Sequence, residues 1–171
     1  MISDIVLERI GQQILARIQE RTLDGIDMDG KRFKAYSTKP FNMPFAPPFI
    51  TVINKMASLN QAFYFKKNNN LWINIQGGYA ALKASAKPNF KNVNLTYTGK
   101  MLNALTVTQV GNNRIKIGFI DKNQQDKMQW NIQKGRDPMG ISDTELQTIL
   151  SNYGINQILK SLIALPDGER Y

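Results

Sequence analysis

At 171 residues the chain is long enough for one domain of ordinary size, and it can bury roughly 70% of its unfolded surface without help from a metal or a disulfide. Apolar residues make up 42%, charged residues 20%, and the net charge is +9, a composition that excludes wholesale disorder. Cysteine and histidine are both absent, which excludes thiol nucleophiles, His-dependent triads, zinc sites built on His or Cys, haem ligation and disulfide frameworks.

The first segment, MISDIVLERIG, has Asp4 and Glu8 within its apolar residues, so it lacks the apolar stretch of a signal peptide. No apolar run approaches the ~18–20 residues of a membrane span, and the expectation is a soluble protein without a membrane partner. Residues 3–21 predict an amphipathic helix capped by Ser3. Ile2, Val6, Ile10, Ile14 and Ile18 recur every fourth residue, and Ile5, Leu7 and Leu15 widen the stripe. Asp24-Gly25 and Asp29-Gly30 then supply turns.

Residues 37–49, STKPFNMPFAPPF, hold four prolines and three phenylalanines. Such proline density excludes a regular helix or a central strand. The three rings imply a loop that packs either on its own core or on a neighbouring subunit. Residues 61–65 and 71–76 flank KKNNN as a hairpin, in which Leu71, Ile73 and Ile75 alternate with Trp72, Asn74 and Gln76. Lys66 and Lys67 fall at its tip. Gly77-Gly78 ends the strand, and Tyr79–Ala86 predicts a short helix stopped by Pro88.

Alternation at Val93, Leu95 and Tyr97 predicts a further strand, and Thr98-Gly99 turns the chain into a short helical piece carrying Met101 and Leu102. Thr106–Val110 and Arg114–Ile120 form the clearest hairpin, joined by Gly111-Asn112-Asn113. Its Ile115, Ile117 and Phe119 face the core, and its Arg114 and Lys116 face solvent or a partner. Asp121 caps a polar helix to about residue 133. Ser142-Asp143-Thr144-Glu145 is a capping box that starts a helix striped by Leu146, Ile149, Leu150 and Tyr153. The same period continues beyond Gly154 to Pro166. The fold class expected is α+β in a single domain, 1–171: an N-terminal amphipathic helix (1–23), a Pro/Phe-rich loop region (37–60), a strand-rich basic core forming an antiparallel sheet of hairpins (61–120), and C-terminal helices (121–166).

Charge is unevenly spread. Residues 31–120 hold thirteen basic side chains and no acidic one, whereas both flanks are slightly acidic. That positive stretch suits nucleic acid, an acidic partner, or plain solvent. Enzyme motifs do not hold up. Gly25 to Arg32 approaches a phosphate-binding loop, but Arg32 stands where a hydroxyl is needed, and Asp27 and Asp29 would repel phosphates. As a calcium loop the same segment places Gly25 and Tyr36 where acidic ligands belong. Asp24, Asp27 and Asp29 cluster without the convergent carboxylates of a two-metal nuclease. Basic and aromatic residues interleave at Lys31–Tyr36 and at Phe63–Lys67, a mixture that single-strand binders use. No catalytic residue, cofactor or metal ligand is expected.

Three segments together resemble the virion-morphogenesis or tail-completion (neck) proteins of tailed bacteriophages. Asp29-Gly30-Lys31-Arg32-Phe33-Lys34-Ala35-Tyr36-Ser37 is similar to that family's D-G-x-x-[FW]-x-x-[LY]-S element. Gly78-Tyr79-Ala80-Ala81-Leu82-Lys83 and the later Leu95-Thr96-Tyr97-Thr98-Gly99-Lys100-Met101 are similar to G-Y-x-x-[LY]-[KR] and L-T-x-T-G-x-[ML]. The third segment is the hairpin ending Ile117-Gly118-Phe119, followed by a polar helix and Gly140-Ile141-Ser142. Many relatives carry Tyr-Ala-x-x-His-x-x-Gly where this chain has Gln129 to Gly135, and the hairpin around 61–76 is enlarged, so neck and tail-terminator positions both stay open.

The resemblance implies a non-enzymatic subunit of a homo-oligomeric six- or twelve-fold ring at the head–tail junction of the virion. Such a ring joins the portal or its adaptor to the tail and surrounds the DNA channel, its subunits having been made in the host cytoplasm. Phe41, Phe45 and Phe49 are then expected at a subunit interface, and Lys66, Lys67, Arg114 and Lys116 against DNA or an acidic partner. The alternative is a stand-alone basic nucleic-acid-binding protein whose affinity falls steeply with salt.

Overall fold

Ser3 closes the start of the first helix by accepting hydrogen bonds from the amides of Val6 and Leu7 at its carbonyl, with its hydroxyl also facing Val6 N. Helix α1 runs Asp4–Leu23, with Asp4 in its first turn and Arg21 in its last, as the helix dipole favours. The computed structural model describes residues 2–46, 49–86, 93–95, 99–112 and 114–154. Its elements divide between two compact units, one formed by residues 1–34 and 93–171 and the other by the contiguous segment 35–92. The strand-rich stretch 61–120, expected as one core, is thereby shared between the units, and its hairpins belong to two separate sheets. The class is α+β, with an N-terminal helix, antiparallel sheets and C-terminal helices.

In the first unit α1 lies on the hairpin β4 (Leu105–Gly111) and β5 (Arg114–Phe119). Gly11 makes this contact possible: a Cβ there would meet methyls of Ile115 and Val107 at 3.0 Å, tighter than ordinary van der Waals contact. Ile10, Ile14, Leu15 and Ile18 from α1 join Leu105, Ile141, Ile149 and Leu150 in one buried cluster, against which Ile115, Ile117 and Phe119 also pack. A second cluster gathers Phe33, Leu95, Met101, Leu102 and Met128, and both Phe119 and Met139 touch the two clusters. Helix α5 (Lys122–Gln133) starts at Asp121, whose side chain accepts from Asn123 N at 2.8 Å. Helix α6 (Asp143–Ser151) starts from the complete Ser142–Glu145 capping box.

The second unit is a three-stranded antiparallel sheet in the order β1 (Phe41–Pro44), β3 (Asn70–Ile75), β2 (Ala62–Lys67). Helix α2 (Ile50–Ser58) and helix α3 (Gly78–Ala86) cover one of its faces. Ile53 and Met56 of α2, Leu82 of α3, and Ala62, Ile73 and Ile75 of the sheet form its core. The β2–β3 turn is only Asn68-Asn69, both at positive φ (50° and 60°), so the expected five-residue connection shrinks to the tight turn that matches strand twist.

Two further expectations are corrected. The 37–60 region is not all loop, because it contains β1 and α2. Pro44 is tolerated because β1 is an edge strand, paired on one side only. Residues 93–95 are not a strand: Leu95 takes φ +52° and turns its side chain into the buried cluster with Met101 and Met128. Tyr97, Thr98, Pro88, Asn113 and everything beyond Gly154 lie outside the described residues.

Candidate functional site

Two motif segments more than forty residues apart in sequence meet inside the second unit. Ala80 N donates to the carbonyl of Ser37, and the ring of Tyr36 stands edge-on to that of Tyr79 at 5.0 Å and 74°. Gly78, at φ +68°, presses so closely on this segment that a Cβ would collide with the carbonyl oxygens of Ser37 and Lys39. Lys83, one helical turn beyond Tyr79, is 1% exposed. Its Nζ donates to the Tyr36 hydroxyl at 3.3 Å and lies 5.1 Å from the centroid of that ring. A glycine, two tyrosines and a buried lysine thus fasten the chain entering the unit to the first two turns of α3.

The remaining motif residues serve the first unit. Asp29 and Gly30 sit in a turn in which the Asp27 side chain accepts from the amides of Asp29 and Lys31, at 3.0 and 2.8 Å. The turn is closed by the bridge between Ile26 and Arg32, and Asp29 pairs with Lys31 at 3.4 Å on the exposed side. Asp27 is therefore spent on its own backbone, as expected of a polar turn. Phe33 is buried, and Gly99, at φ +77°, precedes the short helix α4 (Lys100–Asn103). Among the described residues no group of three or more His, Cys, Asp or Glu is placed to hold a metal, and no helix is long and apolar enough to cross a membrane.

Phe41, Phe45 and Phe49 are each half-buried and pack against the core of their own unit. Phe45 also meets the edge of Tyr64 at 5.4 Å, and the Tyr64 hydroxyl donates to Asn54. The four candidate cations, Lys66, Lys67, Arg114 and Lys116, are all exposed, two in each unit. Lys67 Nζ lies 5.1 Å from the ring of Trp72, which in turn packs on Phe65 at 6.5 Å.

One polar cluster in the first unit escapes sequence reasoning. Arg21 is buried on α1, and its Nη1 donates to Glu145 at 2.6 Å. Its Nη2 donates to the carbonyls of Pro138 and Gly140 at 3.0 and 2.9 Å. Arg17 donates to the other Glu145 oxygen at 2.9 Å and to Glu20 at 2.7 Å. Arg136, also buried, donates from Nε to the Lys34 carbonyl at 2.7 Å. Burial pushes the Glu145 carboxyl upward, but the Ser142 amide and the charge and hydrogen bond of Arg21 outweigh it, and the group ends below its ordinary value of 4.5. Arg21 is buried on α1 together with Leu7, Ile14 and Ile18, and an arginine in register with an apolar stripe is the signal by which the sequence could have shown it.

An α+β chain with this surface is the class that the geometry defines. In comparisons with protein-family models, with curated proteins and with solved structures, no match is found.

Proposed function

We propose that the chain is a structural subunit of the head–tail connector of a tailed bacteriophage, assembling as a homo-oligomeric ring between the portal or its adaptor and the tail. The observation that carries this reading is the ordered set of motif segments at residues 29–37, 78–83, 95–101 and 117–142. The packing of Tyr36 and Ser37 against Gly78 and Tyr79 supports it, since it gives two of those segments a shared structural task. The carboxylate-free stretch 31–120 suits a subunit near channel DNA or an acidic neighbouring ring, with Lys66, Lys67, Arg114 and Lys116 among its exposed cations. Heterologous contacts between identical subunits close naturally into such rings. A nonsense allele in the phage that encodes the chain tests the reading. DNA-filled heads and separate tails that fail to join, rescued by the wild-type chain in trans, is the expected phenotype. Normal infectious particles from the non-suppressing host contradict it.

A further inference from the structure

We infer that the outer face of the β1–β3–β2 sheet is a stacking platform for single-stranded nucleic acid. The register decides which side chains share this face. Ala62, Ile73 and Ile75 point into the core under α2 and α3, so their sequence neighbours Phe63, Phe65, Lys67, Trp72 and Asn74 lie on the opposite face. Phe65 stands directly opposite Trp72, Phe63 opposite Asn74, and Lys67 opposite Asn70. Phe63 is 49% exposed, Phe65 and Trp72 are half-buried, and Lys66 and Lys67 are exposed. Successive rings on a strand are about 6.6 Å apart, so the face offers a row of apolar surfaces along the hairpin.

Polar groups complete the platform. Asn74 donates to Asn42 at 2.7 Å and Gln76 donates to Asn74, an amide chain beside the rings whose ends can pair with base edges. The hairpin tip supplies two lysines, one already over the Trp72 ring. The charge complementarity is one-sided, because the unit formed by residues 35–92 contains seven lysines and no acidic residue. An acidic protein would use the lysines and leave the exposed rings without a task. Duplex DNA keeps its bases stacked on one another, whereas a single strand presents π-faces to aromatic side chains. Rings, amides and Lys67 on one face, with Lys66 beside them at the exposed tip, together match a single strand. The face rests on register and charge, so it is independent of the connector assignment and can fail without it.

The test uses the full chain and fluorescence anisotropy of labelled oligothymidylate and oligouridylate of about twenty nucleotides, and a duplex of the same length, between about 50 and 200 mM salt. Both single strands, or the one whose sugar the site prefers, should bind about tenfold or more tighter than the duplex. Phe63→Ser and Trp72→Leu should each weaken that binding about 5- to 100-fold. The double change Lys66→Gln, Lys67→Gln should lower the log–log salt slope by about 1.4. In Trp130→Phe, where Trp72 is the remaining tryptophan, its emission should be quenched as the strand binds. Should Trp72→Leu disturb the circular dichroism spectrum, Phe63→Ser carries the test, because its ring is half in solvent already. Equal affinity for duplex and single strands with Phe63→Ser silent, no binding at low salt, or equally effective displacement by polyglutamate would each overturn the proposal.

Discussion

Glu145 connects three parts of the first unit through one carboxylate. It closes the α6 capping box with Ser142, neutralises buried Arg21, and holds Arg17 on the next turn of α1. Arg21 then spends its second nitrogen on the carbonyls of Pro138 and Gly140. Glu145→Gln would leave the Arg21 charge buried without its counter-ion, at a cost of about 3 kcal/mol in urea unfolding. Because the carboxyl is held below its ordinary value in the folded chain, its contribution is complete above about pH 4.5 and is lost as pH falls through the folded value. The stability gap between wild type and Glu145→Gln should therefore be constant from pH 7 to about 5 and narrow on further acidification. A gap that stays constant down to pH 3 would contradict this account of the cluster.

At the scale of elements, what the sequence made legible was local. Ser3, Asp121 and the Ser142–Glu145 box start helices at the expected residues, and Ile115, Ile117 and Phe119 alternate as a half-buried strand. The elements it concealed depend on distant partners. β1 is a strand because residues 72–75 stand beside it, and its own FNMP carries no alternation strong enough to announce that. α2 is written ITVINKMAS, whose opening β-branched residues favour strands, and Phe49 offers no side-chain cap. Only burial of Ile53 and Met56 on the sheet makes it a helix. The candidate site was half legible: Phe63–Lys67 stood out as an aromatic–basic run, but Trp72 joins it only through the Asn68-Asn69 turn and the register that follows.

The phenylalanines of the 37–49 segment illustrate the same limit. The sequence left their packing open between the chain's own core and a neighbour, and in the structure they contact the core of the second unit. Phe45→Ser should therefore lower stability by about 2 kcal/mol, less than the 3–5 kcal/mol of a fully enclosed ring. Phe45→Leu keeps the apolar volume, loses the edge contact with Tyr64, and should cost about 1 kcal/mol. Chemical unfolding of the two variants checks the order. A serine variant as stable as wild type would mean that the ring contributes nothing to its own unit, leaving assembly as its task.

On the scale of the whole molecule, the clearest property is the separation of charge from acid. Residues 35–92 form a unit with lysines alone, while the residues around it carry all thirteen carboxylates of the chain. A unit of that kind keeps a positive potential that no internal carboxylate neutralises, which suits a polyanionic or acidic neighbour in an assembly. The connector proposal places that neighbour in the virion. The direct measurement is quantitative mass spectrometry of density-gradient-purified phage particles, with the copy number of this chain taken relative to the portal protein. A stoichiometric component at ring-like copy number, about six or twelve per particle, is the expected result. Absence from clean particles, or a trace amount far below one ring, would contradict it.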